Sequence, residues 1–203
     1  MAIRTLIFDL GKVIVDFSYA EAYTRMQSLS GLNPDELRAR LFAGPLAVDF
    51  ECGRVDSHSF IAEVNRRMET SIAPADFGIL WSSIFHATPL IPESLLQRLG
   101  ASHRLVLLSN TNPLHFAMIR ETYPHIEHFH SLVLSYELGV MKPDPAIYRA
   151  ALDQAQCAPD ECLFFDDMPE NVAGARATGL HARQFLGHDQ LLRDLAEFGI
   201  CVE

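Results

Sequence analysis

Polar side chains stand at the ends of four apolar segments, where a buried strand would stop. Asp9 ends the first segment, and the stretch Ser109-Asn110-Thr111 ends the second. Lys142 follows the third, within GVMKPD. Asp166-Asp167 end the fourth, and Asn171 comes four residues later. These are residue types that attack, coordinate or neutralise anionic groups.

Each of these features has an ordinary structural explanation when it is taken alone. An Asp after a strand commonly forms a turn, and a Ser-Asn-Thr stretch before a helix commonly caps that helix. The adjacent pair Asp166-Asp167 is harder to explain, because neighbouring acids repel each other and a positive group should lie near them. Four polar sites that follow four strands of one sheet therefore favour a common functional site.

The chemistry of such a site follows from its parts. A carboxylate can attack phosphorus or carbon and form a covalent intermediate. Asp9 and Asp167 would supply two hard oxygen ligands for Mg²⁺. The Ser109 hydroxyl and the backbone N–H of Asn110 could hold phosphate oxygens near a helix N-terminus. Lys142 could neutralise charge between a phosphate and Asp9.

The elements that would position these residues alternate between strand and helix. Apolar, β-branched runs predict strands, and segments with helical spacing and Pro or Gly at their ends predict helices. The alternation predicts an α/β fold, a Rossmann-like parallel sheet with helices on both faces and ligand sites at the carboxyl ends of its strands. The predicted strands are 3–9, 104–110, 130–135 and 162–167, with a weaker one at 181–185; the predicted helices are 113–123, 144–156 and 169–179.

Residues 17–88 interrupt this alternation. They contain helical stretches at about 18–30, 34–43, 57–70 and 74–86 and no convincing strand. Asn33 before Pro34 is a good helix start, because it combines a capping side chain with proline at the first helical position. We therefore expect a catalytic core formed by 1–16 and 89–203, with 17–88 inserted as a helical cap.

Composition restricts the classes of partner. The 203 residues are 49% apolar and carry a formal net charge of −10, which argues against binding to nucleic acids or acidic membrane surfaces. The apolar start of the chain is interrupted by Arg4, Asp9 and Lys12, and no A-x-A-like cleavage site follows it. The four cysteines form no CxxC pair. A cytoplasmic location is expected.

The motifs together resemble those of the haloacid dehalogenase superfamily of phosphohydrolases. FDLGKVIVD matches the first motif, VLLSNT the second, GVMKPDPAIY the third and FFDDMPENVAGARATG the fourth, in order along nearly the whole chain. Within the superfamily, the first three motifs most resemble those of the bacterial alpha-D-glucose-1-phosphate phosphatase group. The resemblance implies a Mg²⁺-dependent phosphatase acting on a small phosphate ester, with sugar phosphates as the preferred candidates. A monomer or homodimer is expected.

The same resemblance implies roles for individual residues. Asp9 would take the phosphoryl group as an aspartyl-phosphate. Mg²⁺ would be held by Asp9, the Gly11 backbone carbonyl and Asp167, with Asp166 assisting directly or through water. Lys142 would pair with the phosphate. The remaining roles are phosphate binding by Ser109 and Asn110, and support of Lys142 and the acidic loop by Asn171.

Gly11 departs from the pattern of the superfamily. Most of its phosphatases have a second Asp at this position, which transfers protons to the leaving group and from the attacking water. Glycine cannot do this, so either the leaving group needs little help or another group supplies the proton. A sugar 1-phosphate fits the first option, because its anomeric oxygen is a better leaving group than an ordinary alkoxide. Asp16 and His58 are candidates for the second, although a structural role for Asp16 and a capping or solvent-facing role for His58 are favoured.

Two other functions compete with phosphatase activity. A metal-independent haloacid dehalogenase also lacks the second acid, but adjacent acids such as Asp166-Asp167 count against it. A non-catalytic phosphate-binding or regulatory module is the other alternative, in which Gly11 marks the loss of activity. The enzyme is favoured by the presence of Asp9, Ser109, Lys142 and Asp167.

Overall fold

A computed structural model describes residues 2–41 and 43–201. The predicted helix 34–43 includes residue 42, and the predicted core includes residues 1, 202 and 203; these four positions lie outside the described residues.

A parallel five-stranded sheet forms the centre of the fold, so the predicted α/β class is confirmed. Its strands run in the order β5-β4-β1-β6-β7, and all neighbouring pairs are parallel. They match the five predicted strands to within two residues at each end. They are β1 (Thr5–Phe8), β4 (Arg104–Ser109), β5 (Ser131–Leu134), β6 (Cys162–Asp166) and β7 (His181–Gln184).

Helices cover both faces of the sheet. Side chains alternate along a strand, so Leu6 and Phe8 pack on one face while Ile7 packs on the other, and all three are fully buried. The first face is covered by α6 (Glu93–Gly100), α7 (Pro113–Thr122) and α11 (His188–Glu197). The second is covered by α9 (Pro145–Ala155) and α10 (Pro169–Ala177). The short helix α8 (Ser135–Leu138) follows β5 directly.

Between β1 and α6 the chain forms a two-stranded ribbon and a group of helices. β2 (Val15–Phe17) and β3 (Phe85–Pro89) pair antiparallel. The helices between them pack around a core of their own that includes Phe50, Phe60 and Phe77. We refer to these five helices as the helical segment: α1 (Tyr19–Ser30), α2 (Pro34–Leu41), α3 (Leu46–Glu51), α4 (Ser57–Met68) and α5 (Pro74–Ser82).

Residues 17–88 differ from their prediction in three places, the first being that the predicted helix 74–86 ends at Ser82. The expectation that 17–88 contains no strand is wrong, because β3 begins at Phe85; its middle residues are exposed and so show no apolar alternation. α3 was not predicted, since six residues are too few to establish a helical period. The predicted start of α2 is correct: Asn33 Oδ1 accepts the N–H groups of Asp35 and Glu36 at 3.1 and 3.0 Å.

Among the described residues, no helix combines the length and apolar character needed to cross a bilayer.

Candidate active site

The predicted site residues meet at the carboxyl edge of the sheet. Phe8 at the end of β1 aligns with Leu107 on one side and Phe165 on the other. The next residue, Asp9, donates its backbone N–H to the Phe165 carbonyl at 2.9 Å. Asp166 therefore lies directly beside Asp9. The sheet order, with β1 between β4 and β6, is what brings the first, second and fourth motifs together.

Lys142 links two of these carboxylates. Its Nζ lies 2.7 Å from Asp9 Oδ1 and 2.6 Å from Asp166 Oδ2, and it donates to the Leu108 carbonyl at 3.1 Å. The three contacts match the three donors of an ammonium group. Lys142 is 4% exposed and Asp166 is 0% exposed. The ammonium is thus held in one position, between the end of β1 and the end of β6.

Asp166 is held by further hydrogen bonds. It accepts the N–H of Met168 at 2.8 Å, and Asn171 Nδ2 lies 3.0 and 3.1 Å from its two oxygens. The Asn171 carbonyl accepts the hydroxyl of Tyr148 at 2.8 Å. Asn171 therefore contacts the acidic loop directly and reaches Lys142 only through Asp166. Tyr148 was not predicted as a site residue, although it lies inside the third motif.

Asn110 positions the Lys142 loop through its side chain. Its Nδ2 donates to the Lys142 carbonyl at 3.0 Å, and its Oδ1 accepts the Lys142 N–H at 2.8 Å. This leaves the Asn110 backbone and the buried Ser109 hydroxyl for the predicted contact with phosphate. The cap of α7 is Asn112, whose Oδ1 accepts the His115 N–H at 3.0 Å. The Ser-Asn-Thr stretch is therefore not the cap.

Burial governs the charges of the site. It raises the pKa of Asp9 to about 7, with Lys142 opposing this effect and Asp166 adding to it. Burial alone would lower the pKa of Lys142, but Asp9 and Asp166 together raise it above its usual value. Both pKa values, of Asp9 and of Lys142, are raised because one buried cation lies beside two acids. The ammonium stays charged, and one carboxylate lacks a counter-charge. Burial, followed by the nearby Asp166, also raises the pKa of Asp167.

The acids form a group that fits a hard divalent cation. Asp9, Asp166 and Asp167 each offer an oxygen atom, and these atoms lie within 4.8 Å of one another. Hard oxygen donors of this kind suit Mg²⁺. Asp166 already accepts several hydrogen bonds, whereas among the described residues no donor contacts Asp9 Oδ2 and the Asp167 carboxylate is contacted by its own backbone N–H. Asp9 and Asp167 are the better placed metal ligands.

Phe17 fills the space beside Gly11. A Cβ atom on Gly11 would lie 2.9 Å from Phe17 Cε1, which is too close for an unshifted side chain. The Lys12 ammonium sits 5.0 Å from the centre of the Phe17 ring and 2.5 Å from Asp16 Oδ1. Gly11 is thus part of a packed corner in which the Phe17 ring leaves no room for an unshifted Cβ atom.

The two candidate proton donors from the sequence are not placed for that role. Asp16 binds Lys12, and its Oδ2 lies 3.0 Å from His86 Nδ1, which ties β2 to β3. The hydrogen bond from Lys12 lowers the pKa of Asp16, so this carboxyl is a poor acid. His58 is exposed at the start of α4. Neither lines the cleft described next.

A small cleft lies between the sheet edge and the helical segment. The sheet side contributes Gly11, Ser109 and Asn110, and the helical segment contributes Tyr19 and Glu51. Glu51 was not predicted as a site residue, because an acid at the end of a short helix carries no motif. The cleft joins the predicted phosphate-binding residues to side chains that could contact the rest of a substrate.

Comparison with known proteins identifies the class. A family model described as a haloacid dehalogenase-like hydrolase matches residues 3–179. Because this match covers most of the chain, the protein belongs to that family of hydrolases. The resemblance of its four motifs to this superfamily is therefore confirmed.

Individual relatives are similar over almost their full length. D-ribitol-5-phosphate phosphatase of Bacteroides thetaiotaomicron is 25% identical, over 90% of this chain and 91% of its own. A phosphatase of Mycobacterium tuberculosis is 24% identical, over 100% of this chain and 98% of its own. A haloacid dehalogenase family enzyme of B. thetaiotaomicron, solved in complex with magnesium and inorganic phosphate, superposes with a TM-score of 0.82 at 23% identity, over 90% of this chain and 94% of its own.

Proposed function

We propose that this hydrolase is a Mg²⁺-dependent phosphatase that cleaves a small phosphomonoester through an aspartyl-phosphate on Asp9. The observation that carries the proposal is the buried contact of Lys142 with both Asp9 and Asp166. A carboxylate can approach an anionic phosphate only where fixed positive charge offsets the repulsion. Lys142 supplies one such charge from a position that three contacts hold fixed.

The hydrogen bonds of Asp9 distinguish its two oxygens. Oδ1 accepts the Leu10 N–H at 2.7 Å and contacts Lys142. Oδ2, free of donors from the described residues, is open to a metal ion or a phosphoryl group. Asp9 and Asp167, with the Gly11 backbone carbonyl, would hold Mg²⁺, which supplies positive charge to the transferring phosphoryl group. The phosphate would also contact Ser109 and the Asn110 backbone.

The proposed substrate is a sugar or polyol phosphate. The motif resemblance favours glucose 1-phosphate, and a relative of 25% identity is a D-ribitol-5-phosphate phosphatase. Both compounds join a phosphate to a small, uncharged, polyhydroxylated alcohol. We propose that chemical class and leave the individual ester to experiment. A cytoplasmic location and a monomeric or homodimeric state stay predictions from the sequence.

Phosphate release from a panel of esters tests the proposal. The panel holds ribitol 5-phosphate, glucose 1-phosphate, other sugar phosphates and an aryl phosphate, each with Mg²⁺ and again with EDTA. We expect release that EDTA abolishes. Asp9→Asn should be inactive, whereas Asp153→Asn, at an exposed position on α9, should match the wild type.

Two results would replace the proposal with one of its alternatives. Halide release from 2-haloacids without metal, and no phosphate release, would identify a dehalogenase. Trapping of Asp9 by beryllofluoride without turnover of any ester would identify a phosphate-binding module.

A further inference from the structure

Glu51 is an acidic side chain of the cleft. It lines the same space as Gly11, Ser109 and Asn110. Its carboxyl group makes no hydrogen bond or ion pair with any residue the structure describes. Burial raises the pKa of this carboxyl above its usual value. A half-buried acid without a donor is costly for the fold, and such groups commonly serve a ligand.

Contacts with the core fix the position of Glu51. The hydroxyl of Ser135, at the start of α8, lies 2.6 Å from the Glu51 carbonyl oxygen and 3.0 Å from the Thr111 carbonyl oxygen. It also accepts the Thr111 N–H at 3.0 Å. One side chain thus joins the end of α3 to the loop that follows Ser109 and Asn110.

The turn after Glu51 packs just as closely on the core. Gly53 has a φ of +63°, and a Cβ atom there would lie 2.0 Å from the Tyr136 carbonyl oxygen. Only a glycine allows this approach of backbone to backbone. The carboxyl group is therefore held against the cleft by its own main chain.

The other cleft residues indicate what the free carboxyl would bind. No Lys or Arg is among the described residues that line the cleft. The other ionisable groups there are Tyr19 and His115. The ring nitrogens of His115 lie 3.0 Å from Asn112 Nδ2 and 3.1 Å from the Trp81 carbonyl, and burial lowers its pKa to about 4. The ring is therefore neutral, and the described lining of the cleft offers Glu51 no cation.

We infer that Glu51 accepts hydrogen bonds from hydroxyl groups of the alcohol part of the substrate, and so selects phosphate esters of neutral polyols over esters with a second anionic group. Hydroxyl groups are the donors that a neutral alcohol can offer to a carboxylate. A second phosphate or carboxylate would face Glu51 with no cation to offset the repulsion. This inference rests on the proposed phosphatase function and names the group that recognises its substrate.

Steady-state kinetics with matched esters test the inference. Ribitol 5-phosphate and glucose 1-phosphate are compared with ethyl phosphate, which has an alkyl leaving group and no hydroxyl. Loss of one hydrogen bond to a charged group lowers affinity by about ten- to hundredfold. Glu51→Ala should therefore lower kcat/KM for the polyol esters at least tenfold, mainly through KM, and change ethyl phosphate less than twofold. Glu51→Gln keeps one acceptor oxygen, so its kcat/KM for the polyol esters should lie between those of the wild type and Glu51→Ala. Glu36→Ala, exposed on α2, is the control.

A hexose bisphosphate gives the opposite expectation. Glu51→Gln removes the negative charge, so kcat/KM for this ester should rise at least threefold over the wild type. Calorimetry adds a readout that does not need turnover: in the inactive Asp9→Asn background, Glu51→Ala should weaken binding of ribitol 5-phosphate at least tenfold.

The possible failures can be told apart. If the wild type releases phosphate from no ester, the proposed phosphatase function fails. If the wild type is active but the Glu51 variants keep its preferences, the inference alone is wrong. Equal losses on polyol esters and on ethyl phosphate would also overturn it, since Glu51 would then act on the ester bond or on the fold. Thermal unfolding of each variant separates those two cases.

Discussion

Replacing the proposed nucleophile should stabilise the metal-free protein. Asp9 is 8% exposed, and the one cation beside it is shared with Asp166. Its pKa rises from 3.8 to about 7 on folding, so the folded state favours the neutral acid. Asp9→Asn mimics that neutral form and keeps the shape of the side chain. The variant should therefore unfold at higher denaturant concentration than the wild type.

The size of the effect follows from the two pKa values. An acid whose pKa is raised by folding contributes stability below its unfolded value and loses it as the pH rises through the folded value. The full pKa difference corresponds to a loss of about 4 kcal/mol in the free energy of unfolding, and nearly all of this loss is reached just above pH 7. Between pH 5 and pH 8, the stability gap between Asp9→Asn and the wild type should widen by about 3 kcal/mol.

Urea unfolding with EDTA at pH 5, 6, 7 and 8 measures this gap, because other titrating groups cancel between the two proteins. Asp153→Asn should show no widening. A gap that is constant with pH, or a variant less stable than the wild type at pH 8, would refute the electrostatic reasoning. Adding Mg²⁺ at pH 8 should stabilise the wild type and leave Asp9→Asn almost unchanged, since one proposed ligand is missing.

Three further variants test the supports of the site. Gly11→Ala should destabilise the protein by about 1–3 kcal/mol, because its Cβ meets the Phe17 ring, and adding Phe17→Leu should recover part of the loss in urea unfolding. Asn171→Ala leaves buried Asp166 without two of its contacts, so it should cost about 1–3 kcal/mol and lower kcat more than it changes KM. Ser135→Ala frees α3 from the phosphate loop and leaves the Thr111 N–H without its acceptor, so it should raise KM for polyol esters more than it lowers kcat/KM for ethyl phosphate.

The sheet could be predicted from sequence because its signals are local. Segments such as Leu105–Leu108 and Leu163–Phe165 are buried on both faces, so they read as continuous apolar runs. The polar residue that ends each run marks the edge of the sheet. Since parallel strands place these ends together, the grouping of Asp9, Lys142 and Asp166 also followed from sequence.

The remaining features depend on contacts between distant parts of the chain. Nothing near Glu51 indicates that Ser135, 84 positions away, would fix it beside the phosphate loop. The contact of Phe17 with Gly11 depends on how the chain turns into β2. β3 was missed because its pairing with β2 rests on backbone hydrogen bonds, while its exposed side chains carry no apolar pattern.

The ribbon of β2 and β3 also has a consequence for the turnover cycle. Both connections between the sheet and the helical segment run through this ribbon, and its strands are bonded to each other. The helical segment is therefore attached to the sheet through one paired ribbon instead of two independent linkers. Under the proposed function, an alcohol product held against Glu51 would leave after the Ser135 and Gly53 contacts separate. The rate of that separation would then set an upper limit on kcat.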